Sequence, residues 1–216
     1  MKLFNMVVDA TKVWVTSDWH ISHLNYCRGT SKWDDKNSCR DFNTIEEMDE
    51  TIINRINGCL NQDSILINLG DILFGDKSKL GNLTSRINCK EHHYILGNHD
   101  HWMIKDGCFK QEVLDCFDSV QFYLELFARM PSGEKHRICF NHFSKRVWHD
   151  SHKGSILCWG HSHSSLSSYG KSLDVGIDTT HGMSTASYEP YRLDSIINWA
   201  KNQPVVEVDH HTIGGN

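Results

Sequence analysis

The sequence predicts an α/β fold in a single domain that spans residues 1–216. Several short apolar segments are typical of buried strands, and segments with helical spacing of apolar residues separate the first three of them. A turn with polar side chains directly follows each of these three strands. Since no repeat, linker or low-complexity segment interrupts the chain, one domain is the simplest organisation.

Each element is predicted from its own pattern. Strands are predicted where short apolar or alternating segments occur, at residues 12–17, 64–69, 92–96, 120–126, 136–140, 155–159, 173–178 and 205–208. Helices are predicted at residues 45–57, 77–89 and 193–201. Thr44 and Glu47 have the spacing of a capping box, which supports the start of the first helix. The polar residues 27–43 are predicted to form a loop, and residues 130–135 a turn.

The composition is typical of a soluble globular protein, with 39% hydrophobic and 23% charged residues. The first ten residues match neither a signal peptide nor a membrane span, and no later segment reaches the roughly 18 apolar residues of a transmembrane helix. We therefore expect no membrane partner. The formal net charge of −5 and the lack of a Lys- or Arg-rich run argue against binding of long duplex DNA.

The eight cysteines favour a reducing compartment. None belongs to a Cys-x-x-Cys pair, and Cys139 and Cys158 lie inside predicted strands. This favours buried, reduced thiols in a cytoplasmic protein over disulfides or a zinc site. The 15 histidines are unusual, because histidine is a common metal ligand and the usual acid or base near neutral pH.

Side chains that can bind metal ions follow five of the predicted strands. They are Asp18 and His20, Asp71, Asn98 and His99, His142, and His161 and His163. Any one such group could be a surface coincidence, but five in equivalent positions favour a shared metal site. Two carboxylates, an amide and three or four imidazoles are more ligands than one tetrahedral zinc ion can bind. They favour two divalent ions, manganese first, with iron, zinc, nickel or magnesium as alternatives.

Such a pair of ions would account for hydrolysis of a phosphate ester. Two ions about 3.5–4 Å apart bind a phosphoryl group and deprotonate a water between them. Asp71, in the middle of the series, is the simplest bridging ligand. A histidine beside the ions but not bound to them could protonate the leaving oxygen.

The same residues resemble the calcineurin-like metallophosphoesterase superfamily, whose pattern is D-x-H, G-D, G-N-H-D/E, H and G-H-x-H. All five blocks are present in order, as Asp18-Trp19-His20, Gly70-Asp71, Gly97-Asn98-His99-Asp100, His142 and Gly160-His161-Ser162-His163. The resemblance covers about residues 13–180, and the segments 17–25 and 46–49 are similar to small bacterial and phage members. It implies a four-layer α/β/β/α sandwich.

The resemblance also implies a role for each motif residue. The first metal ion would be bound by Asp18, His20 and His163. The second would be bound by Asn98, His142 and His161, with Asp71 bridging the two ions. His99 would be the general acid, and a metal-bridged hydroxide would attack the phosphorus. Asp100 would either orient His99 or cap the turn.

The motifs leave the class of phosphate ester open. The protein phosphatase branch has arginines beside its G-D and G-N-H blocks, whereas here Ile72 follows Asp71 and Leu96 precedes Gly97. A phosphodiester or small nucleotide is therefore favoured, because a diester carries one negative charge fewer than a monoester. Nucleotides or short nucleic acids are the expected substrates. A phosphomonoesterase or protein phosphatase, and a non-catalytic scaffold with the same fold, are the alternatives.

Six further residues are candidates for substrate contact because of their position in the sequence. They are His23, Asn25, Arg28, Arg146, Trp148 and His152. Residues 144–154 lie between two ligand blocks and are predicted to form the rim of the site. There Trp148 would either stack on a base or be buried for packing. His181, His210 and His211 fall outside the blocks and are predicted to be structural or surface residues.

Overall fold

Two five-stranded β-sheets form the centre of the protein. The computed structural model describes residues 6–181, 183 and 187–206. Its strands, in chain order, are β1 (Val7–Asp9), β2 (Val13–Thr16), β3 (Ile65–Asn68), β4 (Glu91–Ile95), β5 (Ile104–Lys105), β6 (Cys108–Phe109), β7 (Ser119–Gln121), β8 (Leu124–Arg129), β9 (Lys135–Phe140), β10 (Ile156–Trp159), β11 (Ser172–Asp174) and β12 (Tyr191–Arg192). Its α-helices are α1 (Ile45–Cys59), α2 (Leu80–Ser85), α3 (Gln111–Leu114) and α4 (Leu193–Lys201).

The strand order places the predicted metal-binding turns at common sheet edges. The first sheet has the order β12-β2-β3-β4-β7 and is parallel except for β12. The second has the order β1-β8-β9-β10-β11, in which only β8 and β9 are antiparallel. In the first sheet Thr16 pairs with Asn68 and Asn68 with Tyr94, so β2, β3 and β4 end together. The turns that follow them leave from the same edge, where open α/β sheets bind ligands.

The main hydrophobic core lies between the two sheets. Alternate strand residues point into it, as the two-residue period of a strand requires. Its buried members include Val13, Val15, Ile67, Leu126, Ile138 and Phe140. Helix α4 adds Ile196, Ile197 and Ala200 to the same core. The sandwich is thus held together by apolar contacts between its sheets.

A second core covers the outer face of the first sheet. Met48, Ile52 and Ile56 follow the spacing of one helical face of α1. They are fully buried in one cluster with Leu66 of β3 and Tyr94 of β4. Helix α1 is therefore a packing element, and it completes the α/β side of the sandwich.

The outer face of the second sheet is covered differently. Leu157 and Trp159 of β10 form a small cluster with Trp148. The loop 141–154, with a 3₁₀ turn at Ser151–Lys153, covers this face, and Tyr123 and Tyr169 also pack against the cluster. The predicted α/β sandwich is confirmed, with a loop and a buried indole in place of a long helix on this side.

Thr44 is confirmed as the N-cap of α1, and the return bond of the predicted capping box is shifted by one residue. The Thr44 hydroxyl accepts a hydrogen bond of 3.1 Å from the backbone N–H of Glu47. The Glu47 carboxylate in turn accepts from the backbone N–H of Asn43, at 3.1 Å, one residue before the position that a capping box uses. Helix α4 occupies the predicted residues 193–201.

The prediction of one strand at residues 120–126 is wrong. The chain forms β7 beside β4 in the first sheet and then β8 beside β9 in the second. Phe122 lies between them, 60% exposed, and its carbonyl accepts a hydrogen bond from the Asn141 side chain. The alternating pattern is real, but its two halves belong to different sheets, which periodicity cannot distinguish.

Three other boundaries differ from the predictions. The helix at 77–89 is shorter, with a 3₁₀ turn at Lys77–Lys79 before α2. The strand at 173–178 divides, because β11 ends at Asp174 and Gly176 then forms a bridge with Ser17 of the first sheet. Of the strand predicted at 205–208, residues 205 and 206 are not in a strand, and 207 and 208 lie outside the described residues. The short strands β1, β5, β6 and β12 were not predicted.

The structure also describes the thiols and the lengths of the helices. All eight cysteines have free thiols, and four of them, Cys27, Cys39, Cys139 and Cys158, are buried. Within residues 6–181, 183 and 187–206, no helix has the length and apolar character needed to cross a bilayer.

Substitution of Thr44 by Ala should destabilise the protein by about 1 kcal/mol, because the Glu47 N–H loses its acceptor at the helix N-terminus. Urea unfolding monitored by circular dichroism measures the difference. Thr44→Ser keeps the hydroxyl and serves as the control, with stability close to that of the wild type. Equal midpoints for the Ala and Ser variants would contradict the assigned cap.

Candidate metal centre

A first ligand cluster combines the turn after β2 with the turn after β10. Asp18, His20 and His163 place their ligand atoms within 4.8 Å of one another. The Asp18 Oδ1 atom lies 3.8 Å from His20 Nε2 and 4.0 Å from His163 Nε2. Asp18 and His20 are buried and His163 is half-buried. The first sheet therefore contributes two candidate ligands and the second sheet one.

A second cluster lies next to it. Asp71, His142 and His161 again have ligand atoms within 4.8 Å of one another. Asn98 joins them, with its Oδ1 atom 2.9 Å from His142 Nε2 and 2.8 Å from His161 Nδ1. The His142 Nε2 atom is 3.5 Å from Asp71 Oδ2. All seven residues predicted as metal ligands thus fall into two clusters.

Backbone hydrogen bonds connect the clusters. The N–H of His161, in the second cluster, donates to Asp18 Oδ2, in the first, at 2.8 Å. The turns of the first sheet are also joined, because the N–H groups of Asp18 and His20 donate to the carbonyls of Gly70 and Asp71, both at 3.0 Å. The two clusters are therefore parts of one site.

The donor atoms fit divalent cations. Asp18 Oδ1 and His20 Nε2 are buried and have no hydrogen-bond partner among the residues that the structure describes. The His142 Nδ1–H donates to the Leu69 carbonyl at 2.7 Å, so its Nε2 atom carries a lone pair toward Asn98 Oδ1. Two acceptors that face each other at 2.9 Å repel unless a cation lies beside them.

The electrostatics of the protein alone point the same way. Burial, followed by the neighbouring Asp100 carboxylate, raises the pKa of Asp71 to about 8. Burial lowers the pKa of His20 to about 4. Burial therefore disfavours the charged form of both groups in the metal-free protein, and a bound cation would stabilise the ionised Asp71 carboxylate.

The sequence profile of the calcineurin-like phosphoesterase family matches residues 11–212. The chain belongs to this family. A protein of unknown function from Aquifex aeolicus has a similar crystal structure, with 16% sequence identity and a TM-score of 0.53. The similarity covers 87% of this chain and 98% of that one, and at this identity it shows the fold alone. None of the curated protein sequences matches this chain significantly.

The backbone of this calcineurin-like phosphoesterase is unusual at its candidate ligands. Five of them have positive φ angles, a region that side chains other than glycine seldom adopt. They are Asp18 (60°), His20 (53°), Asp71 (57°), His161 (72°) and His163 (45°). Conformations of this kind are retained where the surrounding structure enforces them, commonly at functional sites.

Two motif glycines are required by close approach to the carboxylates. A Cβ atom on Gly97 would lie 2.1 Å from Asp71 Oδ1, and one on Gly160 would lie 2.6 Å from Asp18 Oδ2. Both distances are far below van der Waals contact. The glycines of the G-N-H-D and G-H-x-H blocks therefore leave room for the buried carboxylates.

Asp100 caps the turn, which was one of its two predicted roles. Its Oδ2 atom accepts hydrogen bonds from Asp71 N (2.9 Å), Gly97 N (2.8 Å) and the Tyr94 hydroxyl (2.6 Å). These contacts fix the G-D turn against the G-N-H-D turn. The His99 backbone N–H donates instead to Asp71 Oδ1, at 2.9 Å.

The candidate general acid, His99, is exposed at the edge of the second cluster. Its ring lies 4.6 Å from the ring of Phe74 and 6.1 Å from that of His20, measured between centroids. Burial of part of the ring lowers its pKa. His99 is thus beside the ligands and open to solvent.

The six candidate substrate residues lie in different surroundings. His23 adjoins the first cluster, 5.6 Å from the His20 ring and 4.0 Å from the Phe74 ring. Asn25 accepts from Lys32 N at 3.1 Å, and exposed Arg28 pairs with Asp41 at 3.0 Å. These three residues lie in or beside the polar segment 27–43.

The other three candidates lie on the outer side of the second sheet. The Arg146 guanidinium stacks on the Tyr169 ring at 4.1 Å, and His152 is part of the 3₁₀ turn Ser151–Lys153. Trp148 is buried, and its Nε1–H donates to the Ser155 carbonyl at 3.2 Å. Of the two interpretations of Trp148, these contacts support packing.

A cleft of about 690 Å³ opens beside the first cluster. Its lining includes His161 and His163, the rings of Tyr26, Trp33 and Tyr188, and the segment 37–41. None of residues 144–154, all of which the structure describes, lines it. The long loop after β2, rather than the segment 144–154, therefore lines this cleft. The sequence predicted residues 27–43 only as a loop.

Two charged residues of the site, Arg40 and Asp178, were absent from the predictions. Asp178 Oδ2 lies 2.7 Å from His163 Nδ1, and Arg40 pairs with the Asp178 carboxylate at 2.8 Å. Their sequence signals are weak, because Arg40 is one polar residue in a polar loop and Asp178 ends a predicted strand. His181 donates to the Asp174 carbonyl at 2.6 Å, and His210 and His211 lie outside the described residues.

Gly97→Ala should lower the free energy of unfolding by about 1–3 kcal/mol, since the new methyl group overlaps the Asp71 carboxylate. Thermal unfolding of the metal-free protein measures it. Gly58→Ala is the matched control: it lies in α1 with nothing within 4 Å of the added Cβ. It should stabilise the protein by about 0.5–1 kcal/mol through helix propensity. Equal effects of the two substitutions would refute the steric explanation.

Proposed function

We propose that this protein is a two-metal phosphodiesterase that acts on nucleotides or short nucleic acids. The observation that carries the proposal is the pair of ligand clusters, joined through Asp18 and His161, with exposed His99 beside them. Membership of the calcineurin-like phosphoesterase family supports a phosphate ester as substrate. The two-metal mechanism and the class of ester are the parts that go beyond the family.

The residues divide between the two ions as follows. Asp18, His20 and His163 would hold one ion, and Asn98, His142 and His161 the other. Asp71 would bridge them, consistent with the influence of both Asp18 and His163 on its pKa. When bound, two divalent ions neutralise phosphoryl oxygens and lower the pKa of a water. Manganese is our first choice, and iron, zinc, nickel and magnesium also suit nitrogen and oxygen ligands.

His99 would donate the proton that the leaving oxygen needs. Its backbone is fixed by Asp71, and its ring is open to solvent where an ester would approach. Partial burial lowers its pKa, but the negative charge of a bound phosphodiester favours the protonated ring and opposes that effect. General acid catalysis of this kind contributes about 10²–10⁴-fold to a rate.

The charges along the cleft favour a diester over a monoester. Arg40 is the one Lys or Arg side chain among the described residues that line it, and its donors are already engaged by Asp178 and two backbone carbonyls. A dianionic monoester would therefore find little additional positive charge there. A phosphomonoesterase or protein phosphatase is the second candidate. A scaffold is less favoured, since every candidate ligand and His99 are in place.

We also propose a cytoplasmic location. The eight free thiols, one of them on exposed Cys108, suit a compartment that keeps cysteines reduced.

The ester preference is tested with bis(p-nitrophenyl) phosphate and p-nitrophenyl phosphate, after EDTA treatment and addition of manganese. We expect at least tenfold higher kcat/KM for the diester. Asp71→Asn should abolish turnover of both esters, because it removes the shared ligand. A higher kcat/KM for the monoester would overturn the diesterase proposal and leave the metal site intact.

His99→Asn should lower kcat most for esters with basic leaving groups, because a poor leaving oxygen needs the proton. In a series of aryl phosphodiesters, the loss should rise from a few-fold for p-nitrophenolate to about 10²-fold or more for unsubstituted phenolate. His101→Asn, an exposed neighbour, is the control and should behave as the wild type. A loss that is uniform across the series, or a loss of bound metal, would contradict the general acid role.

A further inference from the structure

Arg40 is a buried cation in a polar loop. It lies in the polar segment 27–43, yet it is only 5% exposed. The rings of Tyr26 and Tyr188 lie 4.7 Å and 5.6 Å from its guanidinium carbon. A buried charge is costly unless its hydrogen bonds are satisfied, so the partners of Arg40 indicate what it does.

Those partners belong to the first ligand cluster. The Arg40 Nη2–H donates to the carbonyl of Asp18, a candidate ligand, at 2.7 Å. The Nη1–H donates to the carbonyl of Trp19, the next residue, at 2.5 Å. Asp18 has a positive φ of 60°. The guanidinium therefore holds the strained turn that carries Asp18 and His20.

The same guanidinium also orders His163. Arg40 forms two hydrogen bonds with the Asp178 carboxylate, at 2.8 and 3.0 Å. Asp178 Oδ2 accepts from His163 Nδ1 at 2.7 Å, and the Tyr26 hydroxyl also donates to it, at 3.3 Å. With its proton on Nδ1, His163 presents the Nε2 lone pair toward Asp18 Oδ1.

The second cluster has separate supports. His142 is oriented by the Leu69 carbonyl, at 2.7 Å. Asp71 is held by the backbone N–H of His99, at 2.9 Å. Neither Arg40 nor Asp178 takes part in these contacts. The N–H of His161 reaches Asp18 Oδ2, at 2.8 Å, and links the clusters. A defect in the Arg40–Asp178 pair should therefore affect the first metal position more than the second.

We propose that Arg40 and Asp178 are positioning residues that set the affinity of the first metal position and affect the second much less. The inference rests on the proposed function, since it assigns separate control to one half of the same site. Arg40 fixes the backbone of Asp18 and the orientation of Asp178, and Asp178 fixes the tautomer of His163. Loss of such outer contacts reduces metal affinity by about 10–100-fold.

The test is a titration of metal-free protein with Mn²⁺, monitored by electron paramagnetic resonance and by isothermal titration calorimetry. The wild type should bind two ions per chain. Asp178→Asn should weaken one binding step about 10–100-fold and the other much less, because an amide is a poorer acceptor for both Arg40 and His163. Arg40→Lys should act in the same direction, because an ammonium cannot reproduce the paired geometry.

Arg86→Lys is the matched control. Arg86 also pairs with a carboxylate, that of Glu50 at 2.6 Å, but it is exposed and follows α2, outside the ligand turns. Its binding isotherm should match that of the wild type. Circular dichroism and thermal unfolding of the metal-free variants separate a local effect from a general loss of structure.

The outcomes distinguish this inference from the function. Equal weakening of both steps in Asp178→Asn and Arg40→Lys, or two unchanged steps, would overturn the positioning role. If the variants lose one binding step selectively and the wild type hydrolyses no phosphate ester, the positioning role is supported and the phosphodiesterase proposal is refuted. Binding of one ion that neither variant weakens would refute both.

Discussion

The burial of two carboxylates, Asp18 and Asp71, at the junction of the two sheets is the constraint on which the site depends. Because water is excluded from both carboxylates, their negative charge needs hydrogen-bond donors from the protein. The protein supplies only some of these donors. Backbone N–H groups of His161 and His99 reach one oxygen of each. The other oxygens face imidazoles that present lone pairs. A bound cation would satisfy the carboxylate oxygens that the protein leaves without a donor.

The turns around these carboxylates follow from that constraint. Gly97 and Gly160 leave space for the carboxylates, Asp100 joins two of the turns, and the candidate ligands accept unfavourable backbone angles. Each feature costs stability by itself. Together they give a fixed arrangement that does not have to form when the substrate arrives, which is what electrostatic catalysis requires.

The sequence predicted the parts of this arrangement that are local. Strand ends and the residues just beyond them are encoded by short apolar segments followed by polar ones, so the seven candidate ligands could be predicted to lie near one another. What could not be predicted depends on contacts between distant segments. The residues 120–126 alternate correctly yet divide between two sheets. Arg40 and Asp178 are 138 residues apart in the chain, and nothing in either neighbourhood indicates the other.

The separation of the ligands along the chain has a consequence for folding. Asp18 and His161 are 143 residues apart, and Asn98 and His142 are 44 apart. An unfolded chain gains little from holding a metal ion between such remote groups, because it must first close long loops. The ions would therefore select the state in which both sheets have already docked. Metal uptake during refolding would then mark the completion of the sandwich, as a late event with high contact order.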